Sequence, residues 1–339
     1  MRVEQSRRFV GFDILKFLCA FLIVCIHNPF PGIVGEYFTS LTRIAVPIFF
    51  MITGFFYVNI VDRKHEWEQI RKIFRLVIEA NLLYLLWKCF CAAINGIGVG
   101  VYISQTFSVK NIAKFLALNE SPFNGHLWYL GAILYVLLIV FVAKTIGMKK
   151  IFYVLTPFLL AGDLILGKYS LLLFNREFPY IVVRNFLFVG LPYFCIGELL
   201  RNWKTKIEIR KLVPLVALLS CTSVLERFLL IRKGLNATRD HYISTTFLAV
   251  VFFLLFKEVY SRHRVTVIEK WAAKIGRDYS TWIYIIHPIF ITVTGEVMRK
   301  IGLYEVYQYI APMLIYSVSI VFVMIVTEGM KRIKYMRKS

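Results

Sequence analysis

Long apolar runs recur along the whole of this 339-residue sequence, and each is about as long as a bilayer is thick. An α-helix rises about 1.5 Å per residue, so roughly 20 apolar residues cross the hydrocarbon core. Hydrophobic residues make up 58% of the chain and its mean hydropathy is +0.66, which exceeds what a soluble domain needs. The sequence therefore predicts an all-α, polytopic membrane protein: one integral membrane domain over residues 1–339 with about ten transmembrane helices. The spans are expected at approximately 11–30, 43–61, 76–96, 126–143, 151–167, 181–200, 212–231, 243–260, 279–295 and 308–329.

Basic residues alternate strongly between the two sides of these spans. The two terminal segments and every second connection hold 27 of the 41 Lys and Arg, whereas the other connections hold 11. Cytoplasmic segments carry the excess of Lys and Arg in membrane proteins, so both termini are predicted to be cytoplasmic, in a multi-pass protein of the plasma membrane. The net charge of +21 is then explained by topology and anionic lipid headgroups, and no nucleic-acid partner is expected. The oligomeric state stays open.

The first apolar run, residues 12–30, contains three ionisable residues, Asp13, Lys16 and His27. Such residues are costly inside a span and usually face a bundle interior or a wet cavity. Lys16 and His27 are eleven residues apart, which places them on nearly the same helix face, and Asp13 lies one turn from Lys16. One alternative is that the three simply mark the two membrane boundaries. The shared face favours a functional stripe, in which imidazole, with a pKa of about 6.5, is the candidate base.

Further polar residues fall in the outer halves of several predicted spans. Singly, each is explained by snorkelling to the headgroups or by an ion pair between helices. Together they predict a polar pocket that opens toward the outside. No span carries the short His and Glu spacing of a zinc site, so no metal is expected. The outer polar residues are His27, His126, Asp163, Arg184, Glu226, Arg227, Asp240, His241 and His287.

Two connecting segments also carry specific predictions. The cytoplasmic segment 62–75 includes Arg71, Lys72 and Arg75. Topological charge explains these side chains without a ligand, and contacts to the phosphates of a soluble cosubstrate are the alternative. The longest external segment, 97–125, contains VKNIAKFLALNE, which is expected to form a short interfacial helix.

Four motifs follow one another along the chain: Lys16-x10-His27 preceded by Asp13, VPIFFMITGFF at 46–56, HLWYL at 126–130, and Ser280-x3-Tyr284-x2-His287-Pro288. In this order they resemble the motifs of the acyltransferase-3 family of multispan membrane proteins. The similarity runs from residue 11 to about residue 325. Within the family, the segments AGDLILG, VVRNFLFVGLPYFCIGELLRN and HYISTTF are most similar to the membrane domain of vancomycin-resistance-type membrane-bound serine racemases.

The resemblance implies an O-acyltransferase, most simply an O-acetyltransferase. Acetyl-CoA or another acyl-CoA would donate from the cytoplasm, and a hydroxyl of an extracytoplasmic glycan or other cell-envelope molecule would accept. His27 is then general base or acyl relay, and Asp13 orients Lys16. The donor's phosphates would contact Lys16, Arg71, Lys72 and Arg75, and the acceptor side would comprise His126, Asp163, Arg184, Glu226, Arg227, Tyr284 and His287.

Two other functions remain open on the same resemblance. The membrane domain of the racemases is associated with serine supply, which implies a transporter of a small amino acid such as serine as the alternative. The zwitterion would then be held by the outer cluster of Arg184, Glu226, Arg227 and Asp240. A membrane sensor without catalysis is a third possibility.

Overall fold

A computed structural model describes residues 2–62, 64–262 and 264–336 of the chain, with the side chains of 2–9, 262 and 334–336 excluded. Over these ranges the backbone forms α-helices and two short turns of other helical type, and no β-strand. Arg63, Arg337 and Lys338, which contribute to the predicted charge asymmetry, lie outside the described residues.

The α-helices follow one another closely along the described chain. A 3-10 turn, Gly125–Leu127, precedes the seventh, and a π-helical turn, Phe186–Gly190, separates the tenth from the eleventh. The helices are α1 (Arg2–His27), α2 (Gly32–Thr42), α3 (Ala45–Asp62), α4 (Glu66–Ile94), α5 (Val99–Thr106), α6 (Val109–Leu118), α7 (Trp128–Thr145), α8 (Lys150–Leu166), α9 (Ser170–Phe174), α10 (Tyr180–Val183), α11 (Leu191–Asn202), α12 (Ile209–Arg232), α13 (Ile243–Arg262), α14 (Val267–Asp278), α15 (Ser280–Lys300) and α16 (Tyr304–Met336).

Nine helical segments of the described chain are long and apolar enough to cross a membrane, and they coincide with nine of the ten predicted spans. The remaining span, expected at 151–167, is also helical, but α8 has 17 residues, at the lower limit of a spanning length. The all-helical membrane architecture predicted from hydropathy is confirmed; the side on which the termini lie stays a prediction. The nine segments are Val10–His27, Gly32–Asp62, Glu66–Ile94, Gly125–Thr145, Tyr180–Asn202, Ile209–Arg232, Ile243–Ser261, Ser280–Lys300 and Tyr304–Ile333.

The chain divides into two compact units. The first comprises Met1–Phe49, Thr205–Arg232 and Tyr242–Ser339, and the second comprises Phe50–Lys204 and Lys233–His241. In the first unit α1 packs against α2, α13, α14, α15 and α16, so it has neighbours on most of its surface. An apolar helix that is hydrophobic all round is expected at such a central position. The fully or nearly fully buried residues of α1 are Phe12, Leu15, Cys19, Ala20, Val24 and Cys25.

The closest helix contact of the first unit is between α1 and α14. Gly276 of α14 lies directly against the backbone carbonyl of Asp13, with no room for a Cβ atom. Thr266 and Glu269 form a capping box that fixes the start of α14. The sequence predicts only a connection between the spans expected at 243–260 and 279–295. Part of that connection is instead helix α14, and its small buried residues allow it to pack closely on α1.

Glycines also allow close helix packing in the second unit. A Cβ on Gly54 of α3 would collide with the carbonyl of Phe194 in α11, and one on Gly197 of α11 would collide with the carbonyl of Met51. The Thr53-Gly54 pair of the second motif therefore has a packing function: small residues let two helix backbones approach in a membrane. Elsewhere in the unit, α4 packs on α7, α8 packs on α11, and the π-helical turn contacts α7, α8 and α11.

The segment 233–241 is held to the rest of the second unit by polar contacts. The Lys168 ammonium donates to the Ala237 carbonyl at 2.8 Å. The Glu177 carboxylate accepts from the Thr238 hydroxyl at 2.8 Å and from its backbone N–H at 3.1 Å. Arg239 Nη1 lies 3.3 Å from the same carboxylate. The Thr238 hydrogen bonds, together with the Arg239 charge, hold the pKa of Glu177 below its ordinary value.

The Gly276 contact predicts a large effect of one added methyl group. Gly276→Ala forces α14 away from α1, which costs about 1–3 kcal/mol as overpacking does in a filled core. Thermal unfolding of the purified protein in detergent should show a clearly lower Tm. Gly329→Ala is the matched control, because a Cβ on this helical glycine meets nothing within 4 Å. Equal Tm values for the two variants would contradict the packing described for α1 and α14.

The lowered pKa of Glu177 predicts how stability depends on pH. A carboxylate whose folded-state pKa is depressed stabilises the fold fully above its unfolded pKa of about 4.3, and this contribution is lost as pH falls through the folded value. Glu177→Gln should therefore lower the Tm at about pH 7, and the difference from wild type should shrink at about pH 3.5. Substitution of the exposed Glu36 by Gln serves as control, with a small difference at both pH values. A Glu177→Gln deficit that stays constant with pH would contradict this explanation.

Candidate functional site

The two charged residues of the first helix form an ion pair, as their spacing predicts. Lys16 Nζ lies 3.0 Å from Asp13 Oδ1, and both side chains are largely withdrawn from solvent. Arg277 and Asp278, at the end of α14, lie near enough to act electrostatically on Asp13. The pair occupies the same helix end as the close contact with Gly276, so its backbone is fixed by packing. A lysine held in this way is oriented, whether its function is structural or ligand binding.

At the other end of α1, His27 lies beside His287 of α15. The two ring centroids are 5.1 Å apart, and the ring of Tyr284 is 6.3 Å from that of His287. His27 is exposed, whereas His287 is completely buried. Nδ1 of His287 lies 3.2 Å from the carbonyl oxygen of Ile283, and because a carbonyl oxygen only accepts, Nδ1 is the donor in this contact. The structure thus joins the first and the last motif of the chain in one imidazole pair.

Lys16 and His27 do not act on the same atoms. Eleven residues of helix separate them by roughly 16 Å along the axis. A ligand that contacts both must be extended along α1. The stripe predicted from the sequence is therefore a line of two separate polar positions, the ion pair at one end and the imidazole pair at the other.

Glu226 and Arg227, predicted to line the acceptor side, stabilise a helix start. The Glu226 carboxylate accepts from the backbone N–H of Ile243 at 2.7 Å and from the Ser244 hydroxyl at 2.8 Å. These are the first residues of α13, whose N–H groups have no partner within the helix. Arg227 Nη1 donates to the Tyr242 hydroxyl at 2.9 Å, immediately before that helix. Both contacts explain the two charges without a substrate.

Asp163 forms a buried pair with a histidine of the second unit. Its Oδ2 lies 2.7 Å from Nδ1 of His241, and both side chains are buried. The Tyr193 ring packs against His241, with centroids 5.7 Å apart. His241 was predicted to belong to the outer polar pocket but was not assigned to the acceptor side. The signal for the pair was depth, because Asp163 and His241 were both predicted at the outer ends of their spans.

His126 and Arg184 lie at neighbouring positions of the second unit. The buried His126 ring packs edge-on against Tyr84, with centroids 4.8 Å apart. The Arg184 guanidinium lies over two aromatic rings, 4.1 Å from the centroid of Tyr180 and 5.5 Å from that of Trp128. Trp128 belongs to the HLWYL motif, two residues after His126. The structure therefore brings two predicted acceptor-side residues together through that motif.

The three basic residues of α4 also lie together. Arg71, Lys72 and Arg75 are exposed, and with Glu68 they border an open cavity of about 360 Å³. A larger groove of about 520 Å³ lies between α4, α6 and α7, and its lining is apolar with two asparagines and one tyrosine. None of its lining residues is an acid, a lysine, an arginine or a histidine, so acyl-transfer chemistry is not expected there.

The predicted site residues divide between the two units. Asp13, Lys16, His27, Glu226, Arg227, Tyr284 and His287 belong to the first unit. The others, Arg71, Lys72, Arg75, His126, Asp163 and Arg184, belong to the second. No three His, Cys, Asp or Glu side chains converge as metal ligands within the part of the chain that the structure describes.

Comparison with known proteins agrees with the motifs. The model of the acyltransferase domain family matches residues 9–329. A serine/alanine racemase of Enterococcus gallinarum is 26% identical over 323 residues, which cover 87% of this chain and 43% of that protein. An amino-acid racemase of Enterococcus faecalis is 24% identical over 320 residues, which cover 88% and 43%, respectively.

The chain thus spans less than half the length of these curated relatives. No solved structure matches it. With the family match extending over nearly all the described helices, the chain belongs to the acyltransferase-3 family of multi-pass membrane proteins.

Proposed function

We propose that the protein is a plasma-membrane O-acyltransferase, most simply an O-acetyltransferase. It moves an acyl group from a cytoplasmic acyl-CoA to a hydroxyl of an extracytoplasmic glycan or other envelope molecule. The observation that carries the proposal is the pair of polar positions on α1, within a chain that matches the acyltransferase domain over residues 9–329. Lys16 is oriented by Asp13 at one end, and His27 is exposed beside His287 at the other.

His27 is the general base of the proposed reaction. It takes the proton of the acceptor hydroxyl while that oxygen attacks the thioester carbonyl carbon. The new carbon–oxygen bond replaces the carbon–sulfur bond, CoA leaves as a thiolate, and the proton held by His27 passes to it. Support for this assignment comes from exposure: His27 is open to an acceptor, whereas the buried His287 packs behind it. His287 is thus a positioning residue.

The donor's phosphates are proposed to contact Arg71, Lys72, Arg75 and Lys16. The first three border an open cavity and are exposed, which suits recognition of a polyanion that arrives from water. Phosphate groups favour clustered cationic side chains, with charge-assisted hydrogen bonds as the main contacts. An asymmetric set of two arginines and two lysines combines bidentate donors with point charges.

His27→Ala should reduce transfer of label from radioactive acetyl-CoA to a cell-envelope acceptor fraction by about a hundredfold or more, as loss of a general base does. The assay uses the purified full chain in nanodiscs. His65→Ala is the matched control, because this exposed histidine at the start of α4 lies outside the proposed machinery. Transfer that persists at the wild-type rate in His27→Ala would refute the role of His27.

Transport of a small amino acid is the second candidate function. It is favoured by one finding, that both curated relatives are named as racemases, of serine/alanine and of amino acids. The buried Asp163–His241 pair would be a candidate for proton coupling under this alternative.

Proteoliposome uptake distinguishes the two candidates. The acyltransferase proposal predicts no accumulation of labelled serine above empty liposomes, because only an acyl group is transferred and the acceptor does not cross the membrane. Uptake that is saturable, and that Asp163→Asn abolishes while Glu36→Gln does not, would instead favour transport. Calorimetry with CoA provides the complementary measurement, since only the acyltransferase requires binding.

A further inference from the structure

The guanidinium of Arg184 is fixed in position by aromatic rings. It lies 4.1 Å from the ring centroid of Tyr180 and 5.5 Å from that of Trp128. Cation–π contacts of this kind stabilise a guanidinium and partly cover it. Its N–H groups, which point outward in the guanidinium plane, remain the donors for a further partner.

Arg184 differs from the neighbouring cations of its unit in its lack of an acceptor. Arg239, which lies over the same Tyr180 ring at 5.0 Å, is bound by Glu177. Lys168 donates to the Ala237 carbonyl. For the Arg184 side chain, the described parts of the chain show ring contacts with Tyr180 and Trp128 but neither an ion pair nor a hydrogen bond. A half-buried cation without a counterion is costly, so an anion from outside the chain would stabilise it.

The backbone at Arg184 is interrupted, although it lies within the spanning segment Tyr180–Asn202. Helix α10 ends at Val183, and the Asn185 side chain accepts from the N–H groups of Leu187 and Phe188 to begin the π-helical turn. Irregular backbone at membrane depth is tolerated where it is buried in protein or lines a cavity. Broken spanning helices of this kind are used by membrane transporters to build substrate sites.

A planar carboxylate fits the guanidinium N–H groups of Arg184, which donate to no acceptor in the described parts of the chain. With aromatic rings near it, the guanidinium still offers its in-plane N–H groups, which pair with a carboxylate in a bidentate arrangement. Gly125 lies beside Nη2, at 3.8 Å from where a Cβ would be, so that the edge is not crowded by a side chain. One guanidinium balances the single charge of a carboxylate but not the charge of about −1.5 to −2 on a phosphomonoester.

We propose that Arg184, whose guanidinium lies near the rings of Tyr180 and Trp128, binds a carboxylate group of the acceptor substrate. The acceptor class is then a hydroxyl-bearing carboxylate, such as an acidic sugar or a hydroxy amino acid. The inference rests on the proposed function, because that function makes the bound molecule an acceptor. It specifies which chemical group of the acceptor is bound by the second unit.

Binding measurements with paired small molecules test the assignment. The probes are D-glucuronate against D-glucose, and L-serine against L-serinamide, titrated into the purified full chain in nanodiscs and followed by ligand-detected NMR. At least one carboxylate should bind saturably, and its carboxylate-free counterpart at least tenfold more weakly. Which of the two carboxylates binds tells an acidic sugar from an amino acid.

Two substitutions and one control locate the binding site. Arg184→Gln should weaken the carboxylate by about tenfold to a hundredfold, as expected for loss of a charged bidentate contact. Arg184→Lys should keep part of the affinity, since a lysine supplies charge without the planar fork. Arg176→Gln is the matched control: Arg176 lies 4.5 Å over the Phe178 ring but is exposed, and its loss should leave binding unchanged. If Arg184→Gln does not fold, the affinity of Arg184→Lys for the carboxylate is the deciding measurement.

The proposal is overturned if no carboxylate probe binds saturably, if both members of each pair bind equally, or if the Arg184 variants bind like wild type. These results are separable from a failure of the proposed function. If transfer from acetyl-CoA depends on His27 but no carboxylate binds at Arg184, the acyltransferase proposal is retained and the carboxylate-binding role of Arg184 is rejected. If carboxylate binding depends on Arg184 but no transfer occurs, the carboxylate-binding role of Arg184 is retained and the acyltransferase proposal is rejected.

Discussion

Inside a bilayer an ionisable side chain has no water to solvate it, and this cost determines how the charges of this chain are arranged. A charge at membrane depth persists where a partner or a wet cavity compensates its desolvation. Most charges in the described spans have such a partner, and the partners differ in kind. They are a carboxylate for Lys16, a histidine for Asp163, the start of α13 for Glu226, and a tyrosine hydroxyl for Arg227. Polar residues of this membrane protein are thus partly structural, and a functional assignment must separate the two uses.

Close helix packing is what makes these pairings rigid. Gly276 allows α14 to touch the backbone of α1 at Asp13, and Gly54 and Gly197 allow the equivalent approach of α3 and α11 in the second unit. Without a hydrophobic driving force between helices in lipid, such close contacts supply much of the association energy. Residues for catalysis and binding are best placed on elements that cannot shift, because small displacements are costly to a site. The Asp13–Lys16 pair lies at such a contact.

The chain has two candidate functional features, an imidazole pair and a cation near aromatic rings. His27 and His287 are an exposed and a buried imidazole in contact, which is an arrangement suited to moving a proton. Arg184 is a cation whose surroundings supply aromatic rings and a break in the helix. The first feature suits the chemistry of acyl transfer and the second suits recognition of its acceptor. Each is described within its own compact unit.

Part of this architecture was determined by the sequence alone. Hydropathy located nine of the spanning segments, because the thickness of the bilayer sets their length whatever the tertiary contacts. The contact of Asp13 with Lys16 followed from helix geometry, because residues three apart are neighbours on any helix. The order of the motifs identified the family.

Tertiary structure alone decided which residues of different helices meet. The pairs His27–His287 and Asp163–His241 join positions 260 and 78 residues apart, and no periodicity specifies such a partner. For the same reason Glu226 stabilises the start of α13 instead of simply lining a pocket, and residues 267–278 form a helix on α1 where the sequence indicated a basic connection. Local patterns fix what a segment becomes, whereas the partner of a buried charge depends on how the segments pack.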